Sequence, residues 1–423
     1  MYFRVPSVKK LKGAVSLPAS KSYSIRAFFV ALCGGASRIR GVFDSDDARA
    51  ARRVAKTLGA CVSPFSGGFS IRVPEFLQKK EFLKVDVAES GTSLRFVLPL
   101  LPFYAKKARI EGRGTLKGRP NHHLCQALRK AGVKIQGVGL KESIPISFEG
   151  GDLSSGKRVI DGSVSSQFIS ALMIAGPKAK GNTRLVMSGQ LVSGDYVTMT
   201  RQILSRAGVD VRRISDREFL IKGGQSFKGL KDFYVPSDYG MAAFFMAAAA
   251  LLPSDVVLKG YFDDRLVQSD AAILPFLKKM GLKLVRTSKS LRIKGPYSLK
   301  GGTFFLKDCP DLVPIMAVTA MFAKGVTRLK DIGHARVKES DRITDLRKEL
   351  LKVGACITEK KDELVIYPDP QNYRGGVVLD PHHDHRLAMA FAVLGLKLGV
   401  TVKDVECTAK SYPGFVKALK ELY

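Results

Sequence analysis

The segment 336-RVKESDR-342 packs three basic and two acidic residues into seven positions, ahead of a helix-period pattern, ITDLRKELLKVGA. Lys338 and Arg342 are four apart, so the pattern predicts that they share one face near a helix N-terminus. That end carries the positive pole of the helix dipole, where cations are disfavoured. An anion held against the segment would resolve the conflict. The same chemistry recurs along the chain. The stretch 18-PASKSYSIRA-27 sets Lys21, Ser22 and Arg26 at the start of an apolar run, and 89-ESGTSLR-95 opens on Gly91 and Thr92. Further on, 162-GSVSSQF-168 offers Ser165, Ser166 and Gln167, and 382-HHDHR-386 puts Arg386 in a first turn. One such site alone reads as N-capping by Ser, Thr or Asp beside a surface arginine. Four together point to anions gripped jointly by backbone N–H groups and cations.

The elements that must position these residues repeat. Ala19, Thr92, Ser165, Asp238, Asp311 and Asp384 follow one another at steps of 73 residues, and each starts an apolar run such as DYGMAAFFMAAAALLP or DHRLAMAFAVLGL. Runs apolar on nearly every face predict buried helices. A second series, Gly59, Gly132, Gly208, Gly281 and Gly354, advances by 73, 76, 73 and 73 residues. Each of these glycines ends an amphipathic pattern and precedes alternating apolar residues, as a left-handed helix terminus entering a strand would. Six units of about 73 residues fill the chain. That period is long for a solenoid, whose units run to roughly 20–45 residues, so two compact domains of three units each are expected.

Composition narrows the function classes. The chain has 423 residues, 45% hydrophobic and 25% charged, which is ordinary globular material. Its apolar runs are short for a membrane helix, and the N-terminus lacks a signal core. The six cysteines form no CxxC pair, so neither zinc nor a disulfide framework is indicated, and a reducing cytoplasm is the simplest location. A net charge of +31 suggests anionic partners. No block of like charges or nucleic-acid signature accompanies it, which favours small anions over nucleic acid. Phosphate-loop, GxGxxG, HExxH and GxSxG motifs are absent. The HHDH cluster reads as a helix cap and acid–base environment rather than a metal site, and His122 and His123 read as an exposed turn before a helix beginning at Leu124.

Taken together, LPASKSYSIRA, FDSDDAR, SGTSLR, GRPNHHL, SVSSQF, VSGDYV, VPSDYGMAAFF, CPDLVPIMA, RVKESDRI, DHRLAMA and KSYPGF closely resemble the 5-enolpyruvylshikimate-3-phosphate synthases, of the enolpyruvyl transferase family. The resemblance runs along nearly the whole chain. It implies an α/β fold of two similar domains, each of three repeated βαβαββ units arranged like an inverse α/β barrel, with an active-site cleft between domains that close on the substrates. The domains would be 1–18 with 236–423, and 19–235. The implied reaction, a step of the shikimate pathway to aromatic amino acids, moves the enolpyruvyl group of phosphoenolpyruvate to the 5-hydroxyl of shikimate 3-phosphate through a tetrahedral intermediate, releasing phosphate. It needs neither metal nor organic cofactor. The family further implies a cytoplasmic monomer with no nucleic-acid or membrane partner.

By the same resemblance, shikimate 3-phosphate lies on Lys21, Ser22, Arg26, Ser165, Ser166, Gln167, Ser193, Asp311, His334 and Lys338, with Tyr196 nearby. Phosphoenolpyruvate lies on Lys21, Gly91, Arg119, Gln167, Arg342, Arg386 and Lys410. Asp311 is the proton acceptor for the hydroxyl, Glu339 donates to the methylene, and Lys21 assists either step. A donor Glu339 requires a raised pKa, whereas Asp311 among cations should stay ionised. Four positions depart from the family pattern. Glu89 and Ser90 replace a frequent Asn-Ala, Phe96 a frequent proline and His334 a frequent asparagine. Gly91 leaves room for glyphosate as a competitor of phosphoenolpyruvate. A sister enzyme acting on UDP-N-acetylglucosamine shares the fold but typically carries a loop cysteine before an Arg-Pro pair, and 111-EGRGTLKGRP-120 has none. A catalytically inactive anion-binding relative would not need Lys21, Asp311, Glu339 and Arg386 together.

Overall fold

The computed structural model describes residues 1–75 and 78–423. The chain divides into two compact units, Met1–Pro18 with Pro236–Tyr423, and Ala19–Val235. Each is built around one motif used three times, two parallel strands with a buried helix and an amphipathic helix, and an antiparallel hairpin completes it in every repeat but the last.

In the Ala19–Val235 unit, Lys80–Asp86 pairs parallel with Ala105–Glu111, which pairs antiparallel with Ser143–Phe148, and that with Ile135–Val138. Gly156–Asp161, Thr183–Ser188, Glu218–Ile221 and Val211–Ser215 repeat the order. A third sheet joins Phe233–Tyr234 to Ala36–Arg40, Gly68–Arg72 and Cys61–Phe65. In the other unit, Leu11–Ser16 runs parallel to Ser254–Lys259, next to Ser290–Ile293 and Leu284–Arg286. Thr303–Phe305, Thr327–Lys330, Glu363–Tyr367 and Cys356–Lys360 form the second sheet. The last is shorter: Val378–Leu379 runs parallel to Val400–Lys403, whose other edge takes the N-terminal strand Tyr2–Val5. None of these sheets closes into a barrel.

The helices crossing between parallel strands are the apolar ones. Tyr239–Leu251 is buried at every residue, Val313–Ala320 likewise, and His385–Leu398 through Leu396. No polar face is needed because no face meets water. Their starts fall where the 73-residue spacing puts them, and Ser20, Ser90, Ser165, Asp238 and Asp384 each cap a helix with a side-chain oxygen. At Asp311 a short 3-10 turn, Pro310–Leu312, leads into the helix. Gly59, Gly132, Gly208, Gly281 and Gly354 all have positive φ, between 80° and 108°, as the left-handed helix ends required. In four of the six repeats a strand–helix–strand crossover brings the buried helix N-terminus beside the carboxyl end of its first strand, where ligands of open α/β sheets bind; before Lys21–Leu32 and Tyr239–Leu251 the chain instead passes from one unit to the other.

Two expectations change. Lys338 and Arg342 do not share a helix face: a 3-10 turn, Gly333–Val337, ends before Lys338, and the helix Thr344–Lys352 begins after Arg342. The Asp341 carboxylate accepts from the backbone N–H groups of Ile343 and Thr344, so a local carboxylate turn outcompetes helix before that point. His122 and His123 are also not in an exposed turn. They are half-buried and open the helix His122–Arg129, with their rings 3.8 Å apart.

Candidate active site

In the unit completed by the C-terminal half, one buried guanidinium organises the polar residues. Arg342 is 1% exposed. Its Nε donates to Asp384 Oδ2 at 2.6 Å, Nη1 to Asp311 Oδ1 at 2.5 Å and Nη2 to Glu339 Oε2 at 3.0 Å. The irregular backbone of 338–342 is what lets Glu339 and Arg342 turn inward together. Asp384 also accepts from the Arg386 backbone N–H at 2.8 Å, so one carboxylate caps a helix and holds an arginine. The second carboxylate oxygen of Asp311 accepts from Arg386 Nη2, also at 2.8 Å. Asp311 thus bridges two arginines. Lys410 Nζ lies 3.5 Å from Glu339 Oε1.

The anions that RVKESDR calls for include the protein's own carboxylates, Asp384, Asp311 and Glu339. Burial opposes the charge on Arg342, but Asp384, Asp311 and Glu339 outweigh it and hold its pKa well above the ordinary value. For Arg386 burial is likewise outweighed, by Asp311, Asp270 and Asp238. His334 is half-buried, and its Nε2 has no hydrogen-bond partner among the described residues. Burial, with the nearby Lys338 charge, pushes its pKa down to about 3, so its imidazole is neutral at physiological pH. Lys338 is half-buried between His334 and Arg342 in sequence.

The Ala19–Val235 unit carries the other predicted residues. Lys21 opens its helix and pairs with Asp47 Oδ2 at 3.2 Å, both side chains largely buried. Arg26, one turn on, is 2% exposed and already committed: Nε to Thr200 Oγ1 at 2.9 Å, Nη1 to the Ser22 carbonyl at 3.0 Å and Nη2 to the Tyr196 carbonyl at 3.1 Å. Burial pushes its pKa down to about 10. Phe96, a departure from the family pattern, lies 5.4 Å from this guanidinium and edge-on to Phe29. Gly91 opens its helix against Arg119, where a Cβ would sit 2.7 Å from Nη1. Gln167 accepts from Arg95 Nη1 at 2.5 Å and donates to Thr92 at 3.1 Å, so two helix starts are tied together. Ser165 caps the third, Ser166 follows it, and Ser193 sits buried in the left-handed region (φ 55°) with its hydroxyl unpartnered. Left-handed backbone at a residue other than glycine is a strain that clusters at functional sites. Glu89 packs against Gly114 so closely that a Cβ there would collide with its carboxylate.

The structure therefore groups Asp311, Glu339, Arg342, Arg386 and Lys410 by direct contact in one unit, and Gly91 with Arg119, Gln167 with Thr92, and Arg26 with Ser22 and Tyr196 in the other. Sequence reasoning missed four organisers. Asp384 was seen only as a helix start, Asp47 only within FDSDDAR and Arg95 only within SGTSLR, while Asp270 lies in no quoted motif. Among the described residues no group of His, Cys, Asp and Glu could hold a metal. His382, His383 and His385 are directed elsewhere: His383 Nδ1 to Asp404 at 2.5 Å, His382 Nε2 to Glu349 at 3.4 Å, and His385 into the core.

Comparison with known proteins then places this arrangement. Residues 5–419 match the family model described as EPSP synthase (3-phosphoshikimate 1-carboxyvinyltransferase). The chain belongs to the EPSP synthase family. Its members are transferases, and so is this chain. Among its relatives, the 3-phosphoshikimate 1-carboxyvinyltransferase of a Sulfurovum species is 35% identical over 98% of this chain and 97% of its own length. That of Methanosphaera stadtmanae is also 35% identical, over 99% of both. Of solved structures, EPSP synthase from Acinetobacter baumannii superposes with a TM-score of 0.79 at 27% identity, covering 100% of this chain and 98% of that one. The enolpyruvyl transferase NikO from Streptomyces tendae reaches 0.79 at 17% identity, with 99% and 96% covered, and speaks for the fold alone.

Proposed function

We propose that this chain transfers the enolpyruvyl group of phosphoenolpyruvate to the 5-hydroxyl of shikimate 3-phosphate. The observation that carries the reading is Asp311, a carboxylate bridging two buried arginines. Phosphoenolpyruvate brings a carboxylate and a phosphate. On Arg342, Arg386 and Lys410 these would take the places that Asp311 and Glu339 now fill. Displaced from its guanidinium partners, Asp311 becomes free to accept the proton of the attacking hydroxyl. Glu339 pairs with two cations, Arg342 at 3.0 Å and Lys410 at 3.5 Å. When substrate anions occupy those cations, it loses the charges that favour ionisation and can carry the proton given to the methylene carbon. The hydroxyl oxygen then bonds the central carbon, the methylene becomes a methyl group, and the tetrahedral intermediate forms. Removal of one methyl proton, with departure of phosphate, restores the double bond on the product. Lys21, released from Asp47, assists proton transfer and adds positive charge where the phosphate leaves.

In this reading shikimate 3-phosphate rests on Lys21, Ser22, Ser165, Ser166, Gln167, Ser193, His334 and Lys338, and phosphoenolpyruvate also on Lys21, Gly91, Arg119 and Gln167. Arg26 contacts the phosphorylated substrate only after giving up one of its three internal bonds; otherwise it braces Ser22 and Tyr196 from below. A monomer acting in the cytoplasm on small molecules, without nucleic acid or membrane, belongs to the same reading. No helix among the described residues is long and apolar enough to cross a membrane.

The test is turnover and shikimate 3-phosphate binding in the wild type and in Asp311→Ala. The wild type is expected to convert both substrates. The variant should lose at least about 100-fold in kcat while its affinity for shikimate 3-phosphate stays within a few-fold. A folded wild type that does not convert them, or a variant that loses affinity alone, overturns the reading.

A further inference from the structure

Behind Arg386 lies a carboxylate that the reaction scheme does not use. Asp270 sits in the short turn Ser269–Ala272 and is 7% exposed. Its Oδ2 is 3.7 Å from Arg386 Nη2, and its Oδ1 is buried with no hydrogen-bond partner among the described residues. Arg386 Nε and Nη1 are likewise buried without hydrogen-bond partners among the described residues. Gly240 makes this approach possible, since a Cβ there would collide with Asp270 Oδ2 and lie 2.6 Å from Arg386 Nη1.

The charges around it are unbalanced. Arg342, Arg386 and Lys410 face Asp311, Glu339, Asp384 and Asp270, with Asp238 capping the adjacent helix. With every carboxylate ionised, this buried cluster is negative before any substrate anion arrives. The carboxylate that takes up a proton most readily is the one with the weakest compensation. Asp311 has guanidinium contacts at 2.5 and 2.8 Å, Asp384 at 2.6 and 3.4 Å and Glu339 at 3.0 Å, whereas among the described residues Asp270 has only its 3.7 Å contact. The groups acting on it are Arg386 and Arg342, which favour its charge, and Asp311 and Asp238, which oppose it. Burial dominates them all and raises its pKa to about 7.

We propose that Asp270 is a proton-linked counter-ion and positioning residue for Arg386, ionised while the guanidinium has no substrate anion and protonated once it does. The empty site thereby keeps a counter-charge on a buried arginine, and the filled site avoids a carboxylate facing an anion. The proton comes from solvent on binding and returns on release. This rests on the reading that Arg386 binds phosphoenolpyruvate.

The test is calorimetric titration of phosphoenolpyruvate into the whole protein, with and without shikimate 3-phosphate, from pH 6.5 to about 8.5 in buffers of different ionisation heat. Asp270→Asn is the control, because it subtracts protonation of the ligand itself. Above about pH 7 the wild type should weaken by up to tenfold per pH unit relative to the variant and take up close to one additional proton. Equal proton uptake and equal pH slopes in the two proteins overturn the proposal. So does a wild type that fails to bind phosphoenolpyruvate under both conditions. Should Asp270→Asn not fold, Gly240→Ala, which wedges the pair apart, must abolish the same linkage. Binding with proton uptake but no turnover would spare this inference and sink the reaction; turnover without proton linkage would do the reverse.

Discussion

Arg342 shows how much chemistry one side chain can organise when its partners come from distant parts of the chain. Glu339 is three residues away, but Asp311 lies 31 and Asp384 lies 42 residues off. The motif RVKESDR exposed the basic residues and their need for an anion. It could not reveal that the anions are internal, because ion pairs over such separations leave no local pattern. Asp270 was silent for the same reason. It sits in an unremarkable SDAA stretch, and only the fold brings it to Arg386. The geometry around Arg342 makes a sharp prediction for Arg342→Lys. An ammonium is a single point donor and cannot span three carboxylates from a rigid fork. At least two of those acids would lose a partner in a buried site, where breaking such a pair costs roughly 3–5 kcal/mol. Chemical denaturation should show a loss on that order, and kcat/KM for phosphoenolpyruvate should fall by about 100-fold or more. Native-like stability together with native-like turnover would contradict the role assigned to the guanidinium.

Elements were far more legible than contacts. The six buried helices announced themselves because a helix without a polar face has only one place to go, and the five glycines because a left-handed terminus nearly demands that residue. The segment between 336 and 343 was misread because its charge spacing fits a helix, while Asp341 holds the backbone in a competing turn. His122 and His123 were misread by two residues at a helix start, where boundaries are least defined. The repeated helix ends also allow a graded test. Gly281→Ala forces a left-handed alanine (φ +108°) but meets nothing nearer than the Ser298 carbonyl at 3.6 Å. Gly354→Ala carries comparable strain (φ +87°) and brings its Cβ to 2.7 Å from the Asn372 carbonyl. Backbone strain alone costs about 1–2 kcal/mol. Gly354→Ala should therefore be the more destabilising of the two, by thermal or denaturant unfolding. Equal losses would mean that the Asn372 loop yields freely.

Across the whole molecule, the net charge of +31 meets two substrates that are both anions. A field of this sign raises encounter rates and is screened by salt. Raising ionic strength from about 20 to 500 mM should therefore lower kcat/KM several-fold while changing kcat much less. A flat kcat/KM would leave the surface charge without a part in substrate capture. At this scale, family membership, the repeated βαβαββ architecture and the bridged carboxylate converge on one reaction. Phosphate release from phosphoenolpyruvate tests it most directly, with shikimate 3-phosphate and UDP-N-acetylglucosamine offered in turn as acceptors. One phosphate should be released per shikimate 3-phosphate consumed, and none with the sugar nucleotide. Release with the sugar nucleotide instead, or with neither acceptor from folded protein, would contradict it.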